Sequence, residues 1–252
     1  MKNIVYQLAA AITFFTRIPL WKVVEIPAES FKKLICFWPF TGWITAGLTA
    51  LAWLGFSMLF PPTLAIVLSF LVRYIFTGGL HEDGLADFFD GFGGGNTKAD
   101  ILRIMKDTQV GSYALVGMIF YYLLLINTAL LIPIHLLAIL IFVADPISKT
   151  LTGLMINLLP YARTEQESKA KTLFDKLKVG RIILLLFFGL IPCVLFLNFK
   201  LWLAMLFPLV TVCFIYLLVK KKIGGYTGDV CGATALLCEL SFYMGVYLLV
   251  SW

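Results

Sequence analysis

Charge is scarce in this sequence. Asp, Glu, Lys and Arg make up 13% of its 252 residues and apolar types 61%, where a soluble domain carries about a quarter charged and about half apolar residues. Together with a mean hydropathy of +0.95, this excludes an ordinary water-soluble protein, and long apolar runs read as membrane spans. Cysteine offers no framework. Cys36, Cys193, Cys213, Cys231 and Cys238 form no C-x-x-C pair, and three of them lie inside apolar runs, which argues against a disulfide scaffold or a zinc site. The N-terminus lacks the marks of a cleavable signal: residues 4–20 are apolar, but Arg17 interrupts them and no small-residue cleavage site follows. This stretch is read as an interfacial helix. Positive charge exceeds negative by six, yet no basic block is interleaved with aromatics. No nucleic-acid partner is expected, and the excess serves topology and phosphates better.

What is present is a series of apolar segments. Seven are read, at about residues 34–60, 62–79, 113–133, 135–159, 181–198, 201–219 and 232–252, most of them near the ~20 residues that cross a bilayer. Lipid gives backbone groups no partners, so the spans must be helical. The expected fold is all-α, a polytopic integral membrane bundle of about six to seven transmembrane helices in a single domain over residues 1–252. Lys32, Lys33, Lys98, Arg103, Lys106, Arg163, Lys169, Lys171, Lys176, Lys178, Arg181, Lys220, Lys221 and Lys222 fall on one side of this arrangement, and Lys200 on the other. The bias places the first side in the cytoplasm. The long polar loops at about 80–112, 160–180 and 220–231 lie there too, so any chemistry is expected on that face.

The segment from Thr77 to Gly95, TGGLHEDGLADFFDGFGGG, carries most of the information. Asp83, Asp87 and Asp90 stand at i, i+4 and i+7; at ~100° per residue they fall within an arc of roughly 60°. Leu85, Ala86, Phe88 and Phe89 occupy the other side, and Gly91 with Gly93-Gly94-Gly95 is expected to end the helix. The spacing predicts a short acidic amphipathic helix with one carboxylate stripe. Such a stripe repels itself unless a cation sits within it, and hard carboxylate oxygens suit Mg²⁺, Mn²⁺ or Ca²⁺. A solvated acidic face is the plainer alternative. His81 points roughly 160° from Asp83 on an extended version of this helix; it is read either as a general base or as a capping group. Glu82 also points away and is given no role.

Other polar positions support this loop. Asp100, Arg103 and Asp107 share a helical face, read either as an intrahelical ion pair or with Arg103 or Lys106 gripping a phosphate oxygen. A second loop carries Pro160-Tyr161-Ala162-Arg163-Thr164-Glu165, and a third a glycine-bracketed Asp229, a candidate further metal ligand. Asp145 and Lys149 stand one turn apart inside an apolar span, where charges usually pair or meet a substrate. Arg73 is read as snorkelling to the inner face.

The run from Gly78 to Gly95, followed by Ile104-Met105-Lys106-Asp107 and Gly111, resembles the adenosylcobinamide-GDP ribazoletransferase (cobalamin synthase) family. So do Phe15-Thr16-Arg17-Ile18-Pro19, the Ala162-Arg163 loop and the stretch from Tyr226 to Ala233, in that chain order. The resemblance implies transfer of the adenosylcobinamide phosphate group from adenosylcobinamide-GDP to the 5′-hydroxyl side of α-ribazole or its 5′-phosphate, with release of GMP. It implies Mg²⁺, a multi-pass protein of the cytoplasmic (inner) membrane, lipid as a partner, and leaves a homo-oligomer open. On this reading Asp83, Asp87, Asp90 and Asp229 bind metal, and Arg103, Lys106 and Arg163 hold substrate phosphates. His81, Asp83 and Asp87 are the catalytic candidates.

Two rivals are weighed. CDP-alcohol phosphotransferases also carry an Asp-Gly membrane motif, but place Arg after its Ala, where Asp87 follows Ala86 here. A transporter would suit intramembrane Asp145, Lys149 and Arg73. Transporters, however, set their sites near the midplane between repeated halves, and here no repeat is visible and the acids gather at one face.

Overall fold

The computed structural model describes residues 2–163 and 174–251. Thr164, Glu165, Lys169 and Lys171 therefore lie outside the described residues. The elements are α1 (Lys2–Phe15), α2 (Ala28–Phe31), α3 (Trp38–Ser57), α4 (Pro62–Thr77), α5 (Leu80–Gly94), α6 (Lys98–Ile104), α7 (Ser112–Leu131), α8 (Ile134–Leu158), α9 (Val179–Phe196), α10 (Leu206–Lys222) and α11 (Gly228–Ser251). Turns of 3-10 helix at Leu34–Phe37 and Phe199–Met205 run directly into α3 and α10. Among the described residues the only β pairing is an isolated parallel bridge between Tyr161 and Tyr226.

Local chemistry sets these boundaries. Proline in the first turn opens α3 and α4, where a missing N–H costs nothing. Pro133 precedes α8. Thr97 and Asp100 form a capping box at the start of α6. Among the described residues six helices are long and apolar enough to cross a membrane: Leu34–Ser57, Ser112–Leu131, Ile134–Leu158, Val179–Phe196, Phe199–Lys222 and Gly228–Ser251. The chain is thus an all-α, multi-pass membrane protein. α1 is too short to count with them, since 14 residues rise only about 21 Å against a hydrocarbon core of about 30 Å.

The segment read as a span over 62–79 ends earlier than expected. α4 stops at Thr77, and Gly78 and Gly79 take φ of +75° and +70°, a left-handed conformation that glycine adopts without penalty. The chain then turns by 95° into α5, so α4 and α5 form a bent pair. Gly91 and Gly93, expected to stop α5, lie within it. Their lack of a side chain serves packing: a Cβ on Gly91 would stand 2.4 Å from the Met105 side chain, and one on Gly93 2.5 Å from the Tyr113 ring.

α3, α8 and α11 form the interior of the bundle, and α7, α9 and α10 are mostly exposed on its outside. The core is built on Trp38, Trp53, Phe242 and Tyr243. Two ion pairs are sealed inside it. Arg73 Nη1 donates to both Glu239 oxygens at 2.6 and 2.7 Å, with Tyr243 donating to the same carboxylate at 3.1 Å. Lys149 Nζ reaches Asp145 Oδ1 at 2.7 Å and Thr45 Oγ1 at 3.0 Å, and Thr45 also bonds Asp145. Asp145 and Lys149 form the pair that their spacing allows. Arg73 does not snorkel: Glu239, two-thirds of the chain away, holds it inside.

Breaking one member of a buried pair leaves an uncompensated charge. Arg73→Met is expected to cost about 3–5 kcal/mol, read as a large fall in thermal midpoint in detergent. Combining it with Glu239→Leu should recover most of the loss. A single variant that melts like the parent would show that the pair holds nothing together.

Candidate functional site

The site begins at the break between α4 and α5. The Arg17 backbone N–H donates to the Phe76 carbonyl at 2.8 Å, and a Cβ on Gly78 would stand 2.8 Å from Arg17 Nε. The end of α1 is thereby pinned over the turn. α5 then crosses the first turn of α11 with their backbones in contact. A Cβ on Gly84 would lie 2.9 Å from the Asp229 carbonyl oxygen, and one on Gly232 3.0 Å from that of His81. A side chain at Gly84 would force the two backbones apart and one at Gly232 would crowd them, and the crossing sets Asp83 beside Asp229.

Asp83, Asp229, His81 and Arg163 line one cavity of about 180 Å³, whose other walls include Phe15 and Trp38. Arg163 is buried, and its Nη2 lies 3.3 Å from Asp229 Oδ2. Its loop is fixed to the loop before α11: Ala162 N donates to the Tyr226 carbonyl at 2.9 Å, and Tyr226 N to that of Pro160 at 3.0 Å. Gly225 permits this, since a Cβ there would fall 2.2 Å from Pro160 O. Thr227 Oγ1 accepts from Val230 N at 3.2 Å and so starts α11 at the point that presents Asp229.

His81 is buried against Trp38 and Phe15, ring to ring, and its Nε2 has no partner in the protein. Glu82 is also buried with one oxygen, Oε2, unpartnered.

A second cavity of about 890 Å³ lies on the other side of α5, between α4 and α7. Arg17, Tyr74, Tyr122 and Glu82 give it polar groups, and Val67, Leu71, Met118 and Ile126 an apolar floor. Phe14, Leu80 and Asp83 line both cavities. Asp83, exposed on α5, thus marks the place where the two meet.

The remaining candidates are placed differently from one another. Asp87 is half-buried one turn beyond Asp83. Asp90 lines neither cavity: it is buried, and its Oδ2 and Oδ1 accept from Gly111 N at 2.6 Å and Ala114 N at 2.8 Å, capping α7. The four carboxylates expected as one metal set are therefore not gathered together, and among the described residues no three His, Cys, Asp or Glu side chains form a preformed ion site. Arg103 and Lys106 are exposed and line neither cavity. Asp100 bonds Thr97, whose hydroxyl and N–H hold its pKa below the usual carboxylate value. Arg17 and Trp38 had no assigned role in the sequence. Arg17 stood out as a lone cation in an apolar stretch, but nothing along the chain ties it to Gly78; Trp38 gave no signal at all.

Comparison with known proteins bears on this site. The family model described as Cobalamin-5-phosphate synthase matches residues 7–247. Proteins named adenosylcobinamide-GDP ribazoletransferase from Shewanella sp. (strain W3-18-1) and Shewanella putrefaciens are each 37% identical over 240 residues, covering 93% of this chain and 90% of theirs. The one from Shewanella oneidensis is 35% identical over 238 residues, covering 92% and 90%. No solved structure matches the chain at a significant level.

The Asp90 geometry has a measurable consequence. Asp90→Ala removes two hydrogen bonds from the start of α7 and is expected to cost about 1–2 kcal/mol, seen as a lower thermal midpoint. Asp90→Asn keeps an acceptor oxygen and should retain most of the stability. Equal melting of both variants and the parent would show that the cap contributes nothing.

Proposed function

The chain belongs to the cobalamin-5-phosphate synthase family, and from that premise we propose that it joins the adenosylcobinamide phosphate of adenosylcobinamide-GDP to α-ribazole or its 5′-phosphate, releasing GMP. The observation that carries the reading is the α5–α11 crossing, which sets Asp83 and Asp229 together on one cavity wall while Asp83 also borders a second cavity. A reaction between two bulky substrates needs such a meeting point.

The family description refines the nucleophile. A product that is a cobalamin 5-phosphate keeps its phosphate on the ribose 5′ oxygen, so that oxygen is not free to attack. The expectation of the 5′-hydroxyl gives way to a secondary ribose hydroxyl, which serves both forms of the substrate. Its oxygen bonds to the phosphorus that carries cobinamide, the bond from that phosphorus to the bridging oxygen breaks, and GMP leaves with the electron pair. The hydroxyl proton passes to His81 Nε2 or to a carboxylate of the stripe.

Phosphoryl transfer depends on positioning and charge stabilisation. Asp83 and Asp229 supply the hard oxygens that Mg²⁺ favours, with Asp87 one turn away, and Mg²⁺ commonly uses one or two carboxylates and completes its shell with phosphate and water. When bound, it supplies charge neutralisation for the diphosphate and the leaving GMP. Asp229 is paired with Arg163; once another cation satisfies Asp229, Arg163 is free to hold a phosphate oxygen. Arg17, at the lip of the larger cavity, is placed for the same task. The larger cavity, apolar below and polar at the rim, suits an amphipathic corrinoid at a membrane surface. Arg163 in the loop after α8 and Lys220, Lys221 and Lys222 at the end of α10 lie on the side of the bundle where α11 starts with Asp229, which supports a cytoplasmic orientation in the inner membrane.

GMP release on mixing the two substrates with the detergent-purified protein tests the reading. It should require Mg²⁺, stop in excess EDTA and return on adding Mg²⁺; full turnover in EDTA would reject metal assistance. Asp83→Ala is expected to lower turnover by at least about 100-fold without shifting the thermal midpoint, and near-normal turnover would remove Asp83 from the site.

A further inference from the structure

The larger cavity is walled by residues that also face out of the bundle. Val67, Leu71 and Tyr74 line it from α4 and are exposed on the outside of the molecule. Met118, Tyr122 and Ile126 line it from α7, a helix that is itself mostly exposed. Spacings of three and four residues put each set on one helix face, so the cavity is a groove between two helices rather than a chamber in the core. From Val67 to Thr77, at the polar end, α4 rises about 15 Å, half of the ~30 Å hydrocarbon core. The groove is therefore as deep as one leaflet of a bilayer. An apolar groove open to hydrocarbon fills with hydrocarbon, because a void would forfeit the packing contacts of its walls.

The polar end carries a definite charge pattern. Among the described residues Arg17 is the one cation of the lining, and it is exposed; Glu82 and Asp83 supply two carboxylates. Glu82 is 6% exposed, and its Oε2 accepts from no described residue. A buried acceptor left so costs free energy that a ligand donor would recover. We propose that the groove holds one phospholipid of the leaflet on the site's side, with an acyl chain between α4 and α7, its phosphate on Arg17 and a primary ammonium headgroup on Glu82. The lipid class is phosphatidylethanolamine. Its ammonium offers three N–H donors, and an N⁺–H···O⁻ bond to Glu82 is of the strong kind. The trimethylammonium of phosphatidylcholine has no donor, and phosphatidylglycerol brings a net negative charge to a rim where carboxylates outnumber Arg17. The lipid site itself does not depend on the reaction. One consequence rests on the reading above that the corrinoid-bearing substrate takes this cavity: the lipid is then its resting occupant, and the substrate must displace it.

The test uses the full chain in detergent, without either substrate. Phosphatidylethanolamine, phosphatidylcholine and phosphatidylglycerol with the same acyl chains are titrated in, and bound lipid is counted by native mass spectrometry. Phosphatidylethanolamine should saturate at one per chain and bind about tenfold more tightly than the other two, the worth of one charge-assisted hydrogen bond. Glu82→Gln should bring phosphatidylethanolamine down to the level of phosphatidylcholine, and Leu71→Trp, which fills the groove, should weaken all three. Equal binding of the ethanolamine and choline lipids, preference for phosphatidylglycerol, or binding that never saturates would overturn the proposal. If Glu82→Gln does not fold, the three lipids on the unaltered chain decide alone. Displacement is read from kinetics: added phosphatidylethanolamine should raise the KM for adenosylcobinamide-GDP at least about threefold with kcat unchanged. An unchanged KM would overturn the shared occupancy. Failure of the reaction reading looks different, since no GMP would form from the two substrates while one lipid still bound per chain.

Discussion

Two backbones touch where α5 crosses the first turn of α11: a Cβ at Gly84 would meet the Asp229 carbonyl oxygen at 2.9 Å, and one at Gly232 the His81 carbonyl oxygen at 3.0 Å. Almost every feature of the site follows from that contact. It brings Asp83 to Asp229, and with Asp229 comes Arg163, whose loop is tied to the segment before α11 by paired backbone hydrogen bonds. The approach depends on α5 lying across the bundle. Two left-handed glycines make that possible by ending α4 and turning the chain 95° within two residues. A side chain at Gly84 would push α5 off α11 and separate the carboxylates without altering either of them, and displacements of about 1 Å can cost on the order of 100-fold in rate.

Beneath the crossing, the interior is held by charges that have no access to water. Arg73 on α4 meets Glu239 on α11, and Asp145 and Lys149 on α8 meet Thr45 on α3. These contacts join α4 to α11 and α8 to α3, and each would be costly to break from one side. The small space among Arg73, His81, Glu82, Asp145, Lys149 and Glu239 links this network to the start of α5. The ion pairs fix the platform, and the glycine contact fixes what stands on it.

How much of this could be read along the chain depends on the range of the interaction. That Asp83, Asp87 and Asp90 fall on one helix has a local signal, their one-turn spacing after a glycine pair. The membrane character and a range of about six to seven spans were legible from apolar run length. What those patterns could not give is the environment of each face. Asp83 and Asp90 share a stripe, yet one borders two cavities and the other is enclosed against α7, because a neighbour 21 residues away needs its N–H groups satisfied. Arg73 was read as reaching for the interface because its partner lies 166 residues downstream. Gly91 looked like a helix stop and is a packing contact, a distinction that appears only once Met105 is in place. Arg103 and Lys106, near the acids in sequence, line neither cavity, whereas Arg17, far off in sequence, sits on the turn that begins α5.

The scarcity of charge gives these placements their weight. A chain with so few ionisable side chains can neutralise its interior only by matching them singly, and Arg73 with Glu239, Lys149 with Asp145 and Arg163 with Asp229 do so. Of the three pairs, the first two are enclosed on all sides, and an exchange of partner there would strand a charge in an apolar core. The third borders a cavity, with Asp229 only partly covered and an exposed carboxylate, Asp83, on the same wall. It is therefore the pair in which a ligand in the cavity can reach one member and take over a partner's role. A site for a negatively charged diphosphate needs such an exchange, because a fixed acidic surface would repel the substrate and a fixed basic one would retain the product.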